Sequence, residues 1–145
     1  MEGGRRPPAP GLSLIELMIA LAILGVLLGL AWPSYQGQVR RAYRAQAQAA
    51  LLEAQQFMER WQALQGRYTT DSGAAPALPL RLQKAPAEGE PRYLLSLASV
   101  DAASYVLKAE PQGVMAGDAC GSLTLSSTGV RGRTGSGLSS QQCWQ

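Results

Sequence analysis

A carboxylate opens the one long apolar stretch of this chain. In the run Gly11-Leu12-Ser13-Leu14-Ile15-Glu16-Leu17-Met18, continuing apolar to Trp32, Ser13 and Glu16 are the only polar side chains among the 21 residues from Leu12. About 20 apolar residues cross a bilayer core as a helix. An acid inside such a span costs about 2.5–3.5 kcal/mol on insertion scales and by default marks a functional site awaiting a partner. A plain membrane anchor that tolerates its Glu is the alternative reading.

Two other sets of residues have types that do chemistry. Cys120 and Cys143 are the only cysteines, and the chain has no histidine. Two thiols make a poor metal site, since structural zinc takes four nitrogen or sulfur ligands. A disulfide is the favoured reading, with two free buried thiols as the alternative. It would close a segment of about 24 residues and contribute about 3 kcal/mol in the chain-entropy model. Disulfides persist in the periplasm and outside the cell, so the C-terminal part is expected to be exported. Between the cysteines lies Val130-Arg131-Gly132-Arg133-Thr134-Gly135. Its two arginines, on what reads as a flexible Gly-rich segment, suit phosphate contacts. Solvated loop charge is the plainer reading, and a wider basic face including Arg92 or Lys108 would favour the first.

Enzymatic readings have little to stand on. There is no Gly-rich phosphate loop before a helix and no pair of acids at a recognisable spacing, so no constellation meets the usual tests of an active site. Ser126, Ser127, Ser136, Ser139 and Ser140 read as loop solubilisers. No cofactor or metal is expected. The net charge of +3 falls by one if residues 1–11 are removed, because Arg5 and Arg6 outweigh Glu2. That is too mild to argue nucleic-acid binding by itself.

These residues need elements to hold them. Residues 12–33 form the apolar span, ending at Pro33, which kinks helices. Gly25 and Gly29 read either as a small-residue helix contact or as ordinary bilayer-helix glycines. Over 34–66, Val39, Tyr43, Ala47, Ala50, Leu51, Ala54, Phe57, Met58, Trp61 and Leu64 recur at spacings of three and four, which is an amphipathic helix. Arg40, Arg44, Gln48, Gln55 and Glu59 fall off that stripe, and Gly66 stops the helix. Read continuously from Ser13 to Gln65, the helix is a rod of roughly 80 Å. Prolines 76, 79, 86 and 91 make the stretch from Arg67 to Pro91 a loop. Tyr93–Leu97, Ser104–Ala109 and Leu123–Ser127 read as strands. Three or four antiparallel strands against one helix face give an α+β layer, with 67–145 as the globular region.

The N-terminal run resembles that of the type IV pilins and pseudopilins, whose class III signal has Gly at the cut, an apolar first mature residue and Glu fifth. Gly11, Leu12 and Glu16 stand in that register. An ordinary secretory signal is instead cut after its apolar region. The resemblance implies that residues 1–11 are a leader removed by a prepilin peptidase, that Leu12 is N-methylated, and that Glu16 meets the terminal amine of a neighbouring subunit. A paired charge recovers much of its burial cost.

Further pieces look like minor pilins of the PilE kind: Arg41 to Leu52, Tyr105 to Ala109, Asp118 to Leu125, and the terminal Cys143-Trp144. The resemblance implies the pilin fold, a long helix on a small antiparallel sheet with a C-terminal disulfide loop. It also implies a minor subunit in type IV pilus assembly, and hence in adhesion, twitching motility and DNA uptake. Its partners would be other pilins, the peptidase and the inner-membrane assembly machinery. Lysine and arginine counts leave the orientation open, since Arg5 and Arg6 precede the span and Arg40, Arg41 and Arg44 follow it. The cysteines orient it: single-pass in the inner membrane with a periplasmic C-terminal region, then in the pilus at the cell surface. The alternatives are a DNA-binding pilin acting as uptake receptor and a type II secretion pseudopilin.

Overall fold

The computed structural model of the protein describes Gly11 and residues 13–145, with backbone only at 31–34. Residues 1–10 and Leu12 lie outside the described residues, and with them the expected leader and the site of methylation. The chain divides into two compact units, Met1–Gly37 and Gln38–Gln145.

Helix α1 runs from Leu14 to Gln65, one residue short of the start expected at Ser13. Its backbone is helical through Pro33. In the first unit Leu14, Ile15, Leu17, Met18, Ile19 and the apolar residues up to Leu30 are exposed. The helix is long and apolar enough to cross a membrane, and none of its most apolar window is buried within the chain.

The second unit has its own core. Ala47, Leu51, Ala54 and Met58 of α1 are wholly buried, with Tyr43, Ala50 and Phe57 packed at the margin. Burying a Leu side chain stabilises by about 1.5–3 kcal/mol, so the stripe is what fixes this half of the helix. Leu64, expected on the stripe, is instead 83% exposed. Trp61 makes the closing contact there, donating its indole N–H to the Thr69 carbonyl at 3.3 Å. Gly66 ends the helix with φ +73°, a left-handed conformation that costs a glycine little.

Five antiparallel strands follow in spatial order β1 to β5: β1 Lys84–Ala85, β2 Tyr93–Val100, β3 Tyr105–Pro111, β4 Leu123–Ser126 and β5 Arg131–Arg133. The three expected strands are β2, β3 and β4. The two unexpected ones are short edges. β1 follows a 3-10 turn at Leu80–Leu82 inside the Pro-rich stretch read as loop, and it exists only as pairing with Tyr93 and Leu94. β5 lies in the segment read as flexible. Residues alternate along the central strands, with Tyr105, Leu107 and Ala109 of β3 and Leu123 and Leu125 of β4 buried, as expected of a sheet with one covered face. Glu59 of α1 ties helix to sheet: its carboxylate accepts from Tyr105 Oη at 2.8 Å and from Tyr68 Oη at 3.1 Å. A four-residue helix α2, Ser140–Cys143, closes the chain.

Candidate functional site at the C-terminal corner

The disulfide is formed. Cys120 and Cys143 are both wholly buried, with Cα atoms 5.8 Å apart. Around Cys120 the backbone is close-packed: a Cβ at Gly135 would run into the Ala119 carbonyl and the Cys120 backbone, and Gly135 N–H donates to Cys120 O at 2.9 Å. Ser139 caps α2 in a reciprocal capping box with Gln142, an arrangement that satisfies two otherwise unpaired helix donors. Gln48 of α1 donates Nε2–H to the Cys143 carbonyl at 2.9 Å. The chain terminus is thus fastened to both the sheet and the helix.

Beneath the disulfide lies an ion pair that the helical stripe concealed. Arg44 donates Nε–H and Nη2–H to the two carboxylate oxygens of Asp118 at 2.9 and 2.7 Å, both residues being buried. The half-exposed Arg40 approaches the same carboxylate at 3.9 Å, and Cys120 N–H donates to it at 3.2 Å. Burial pushes the Asp118 carboxyl up, but the hydrogen bonds and charge of Arg44, then Cys120 N–H and Arg40, outweigh it and hold the carboxyl below its ordinary value. The hydrogen bond to Asp118 correspondingly raises Arg44. Beside the pair the buried Tyr93 hydroxyl has no hydrogen-bond partner, and burial first, then the Asp118 charge, pushes it up to about 12. The bidentate geometry gives this buried pair its direction and leaves no carboxylate oxygen unclaimed. Arg44 is expected off the apolar stripe, yet it stands three residues before Ala47, on the same spacing of three and four. That spacing is the signal by which the sequence could have revealed it.

Arg131 and Arg133 do not sit on a flexible segment, as their Gly-rich surroundings suggest, but on the ordered edge strand β5. Their register partners are Leu125 and Leu123, whose side chains face the core, so both arginines belong to the helix-side face of the sheet. Arg131 is exposed, and its guanidinium lies over the Trp144 ring, 5.3 Å from the centroid. The Trp144 indole N–H donates to Gly132 O at 2.9 Å. Arg133 is half-buried, with an Nε that has no partner.

The wider basic face is not formed with Lys108 or Arg92. Lys108 pairs in register with Thr124, and Thr124 with Gly132, so Lys108 projects from the opposite face and bonds Glu110 at 2.8 Å. Arg92 lies over the Tyr43 ring at 5.4 Å and within 3.6 Å of Glu90. Among the described residues no group of three or more His, Cys, Asp or Glu side chains gathers as a metal site.

A long helix with an exposed apolar first half, continuing into a half packed on an antiparallel sheet with a disulfide-bonded terminus, is the architecture of a type IV pilin. The prokaryotic N-terminal methylation motif matches residues 9–32. The family model described as type IV minor pilin ComP, DNA uptake sequence receptor, matches residues 33–124, well over half of the chain. The chain belongs to this family and is a minor type IV pilin. The non-core minor pilin PilV of Neisseria meningitidis shares the fold, with a TM-score of 0.51 and 20% identity over 70% of this chain and 93% of that one. A type IV pilin from Shewanella oneidensis aligns with a TM-score of 0.49 and 28% identity over 69% of this chain and 98% of that one. No curated protein matches the chain. The family is one of structural pilins, and the apolar N-terminal helix suits a membrane-anchored subunit that assembles into a pilus.

Proposed function

We propose that this minor pilin binds DNA at the pilus surface for uptake. The observation that carries the reading is the match of residues 33–124 to a family described as DNA uptake sequence receptors. The match ends before β5, so the assignment of Arg131 and Arg133 to phosphate binding stands on their own geometry. They share one face of an edge strand, and neither is bonded to a carboxylate in any ion pair among the described residues.

The same reading orders the rest of the chain. A prepilin peptidase cuts between Gly11 and Leu12, removes the leader 1–11 and methylates Leu12. Residues 12–33 anchor the subunit, with Pro33 as the place where the helix bends. The region beyond, helix 34–66 and globular part 67–145, is periplasmic until assembly, when Glu16 pairs with the terminal amine of a neighbouring pilin.

Binding of the full-length protein in detergent to a duplex of uptake-competent DNA, measured by fluorescence anisotropy across salt concentrations, tests the reading. Affinity should fall steeply with salt, and Arg131→Ala with Arg133→Ala should lower the log–log salt slope by about 0.9 for each phosphate that is no longer neutralised. Binding that is absent in the wild type, or a slope unchanged in the double variant, would overturn the receptor role or the arginine assignment respectively.

A further inference from the structure

Trp144, beside the last turn of α2, has both of its N–H groups engaged. Its indole N–H is spent on Gly132 O at 2.9 Å, and its backbone N–H on Ser140 O at 3.1 Å. The preceding residue is locked by the disulfide to Cys120 and by Gln48. The ring is therefore a fixed platform, and the group it holds is the Arg131 guanidinium.

We infer that Trp144 is a positioning residue for nucleic-acid phosphate, ordering Arg131 before DNA arrives without touching the DNA itself. This rests on the DNA-binding reading above. An exposed arginine loses rotamer freedom when it binds, and a group already ordered loses less. A cation held over an aromatic face keeps its full charge, because the attraction acts through the ring quadrupole and neutralises nothing. A carboxylate partner would also order Arg131, but would cancel the charge that attracts phosphate. An aromatic platform does one without the other.

Affinity and salt slope separate these roles. With the full-length protein in detergent and a random-sequence duplex as probe, Arg131→Ala should weaken binding and lower the salt slope by about 0.9. Trp144→Leu should weaken binding about fivefold, the cost of ordering one long side chain, with the slope unchanged, since Arg131 still reaches its phosphate. Trp144→Phe, which keeps a ring but not the N–H, should recover most of the affinity. In the Arg131→Ala background Trp144→Leu should have no further effect. Wild-type affinity in Trp144→Leu, or an equal loss in both backgrounds, would overturn the positioning role while leaving DNA binding intact. A wild type that shows no salt-dependent binding would overturn the DNA reading, and this inference with it. Unfolding midpoints measured alongside identify loss of fold, and the Phe variant then carries the test.

Discussion

The two units of this pilin solve the same problem in opposite ways. From Leu14 to Leu30 the chain exposes its apolar side chains, and up to Gly37 it contains one acid among the described residues, Glu16. From Gln38 onward it buries an apolar core and places a carboxylate, Asp118, deep against Arg44. In the second unit the partner for the buried carboxylate is supplied by the same chain. In the first, the apolar surface and the acid have no partner within the described chain, and the physics of burial requires one from outside: lipid first, other subunits afterwards. An acid in a nonpolar place is therefore a question about assembly in one unit and about folding in the other.

That contrast can be broken most sharply at Glu16. If its partner is the terminal amine of a neighbour, Glu16→Ala leaves that amine buried and alone in the filament, a loss of about 3–5 kcal/mol, or roughly a hundredfold and more in incorporation. Leader removal and membrane insertion should be unaffected. Separate quantification in sheared pili and in membranes at equal expression measures this, and equal incorporation would show that Glu16 is a passenger.

The corresponding change in the second unit acts on the fold. Asp118→Ala strands Arg44 in the interior and should cost about 3–5 kcal/mol, read as a fall in the denaturation midpoint. Replacing both partners by apolar residues should recover much of that loss, since no uncompensated charge remains. The pair also predicts an acid limit. Because the folded Asp118 titrates below its ordinary 3.8, its contribution is complete above that value and is lost as pH falls through the folded one. Stability measured against pH should therefore lose this contribution only below about pH 3.8 in the wild type, and the acid-limb difference should vanish in the doubly apolar variant.

A smaller effect is expected at the disulfide. Cys120→Ser with Cys143→Ser should cost about 3 kcal/mol, and it should also loosen the hold on Trp144. Full alkylation of the wild type without prior reduction would contradict the bridge directly.

Much of this molecule is readable as pattern. The apolar span, the Gly11 to Glu16 register, the amphipathic stripe and the alternation in β2, β3 and β4 are local periodicities, and a local periodicity is visible wherever neighbouring residues share one environment. The two cysteines are readable because chemistry leaves two lone thiols few fates. The short strands β1 and β5 have no such signature. Two or three residues carry no period, and their extended form comes from hydrogen bonds to β2 and β4, so a Pro-rich loop and a Gly-rich loop each become a sheet edge.

The same reason governs the site. By itself the sequence determined that one helix would bury an apolar face, that the terminus would be pinned through Cys120 and Cys143, and that Arg131 and Arg133 would stand two residues apart. Only the tertiary structure decided that Arg44 is buried, because its partner Asp118 lies 74 residues away. It alone set Lys108 on the face opposite the two arginines, through a register two strands removed, and brought Trp144 beneath Arg131. Side-chain identity states what a residue can do, but pairing across the fold states which residues meet, and charge, burial and register act only between groups that meet.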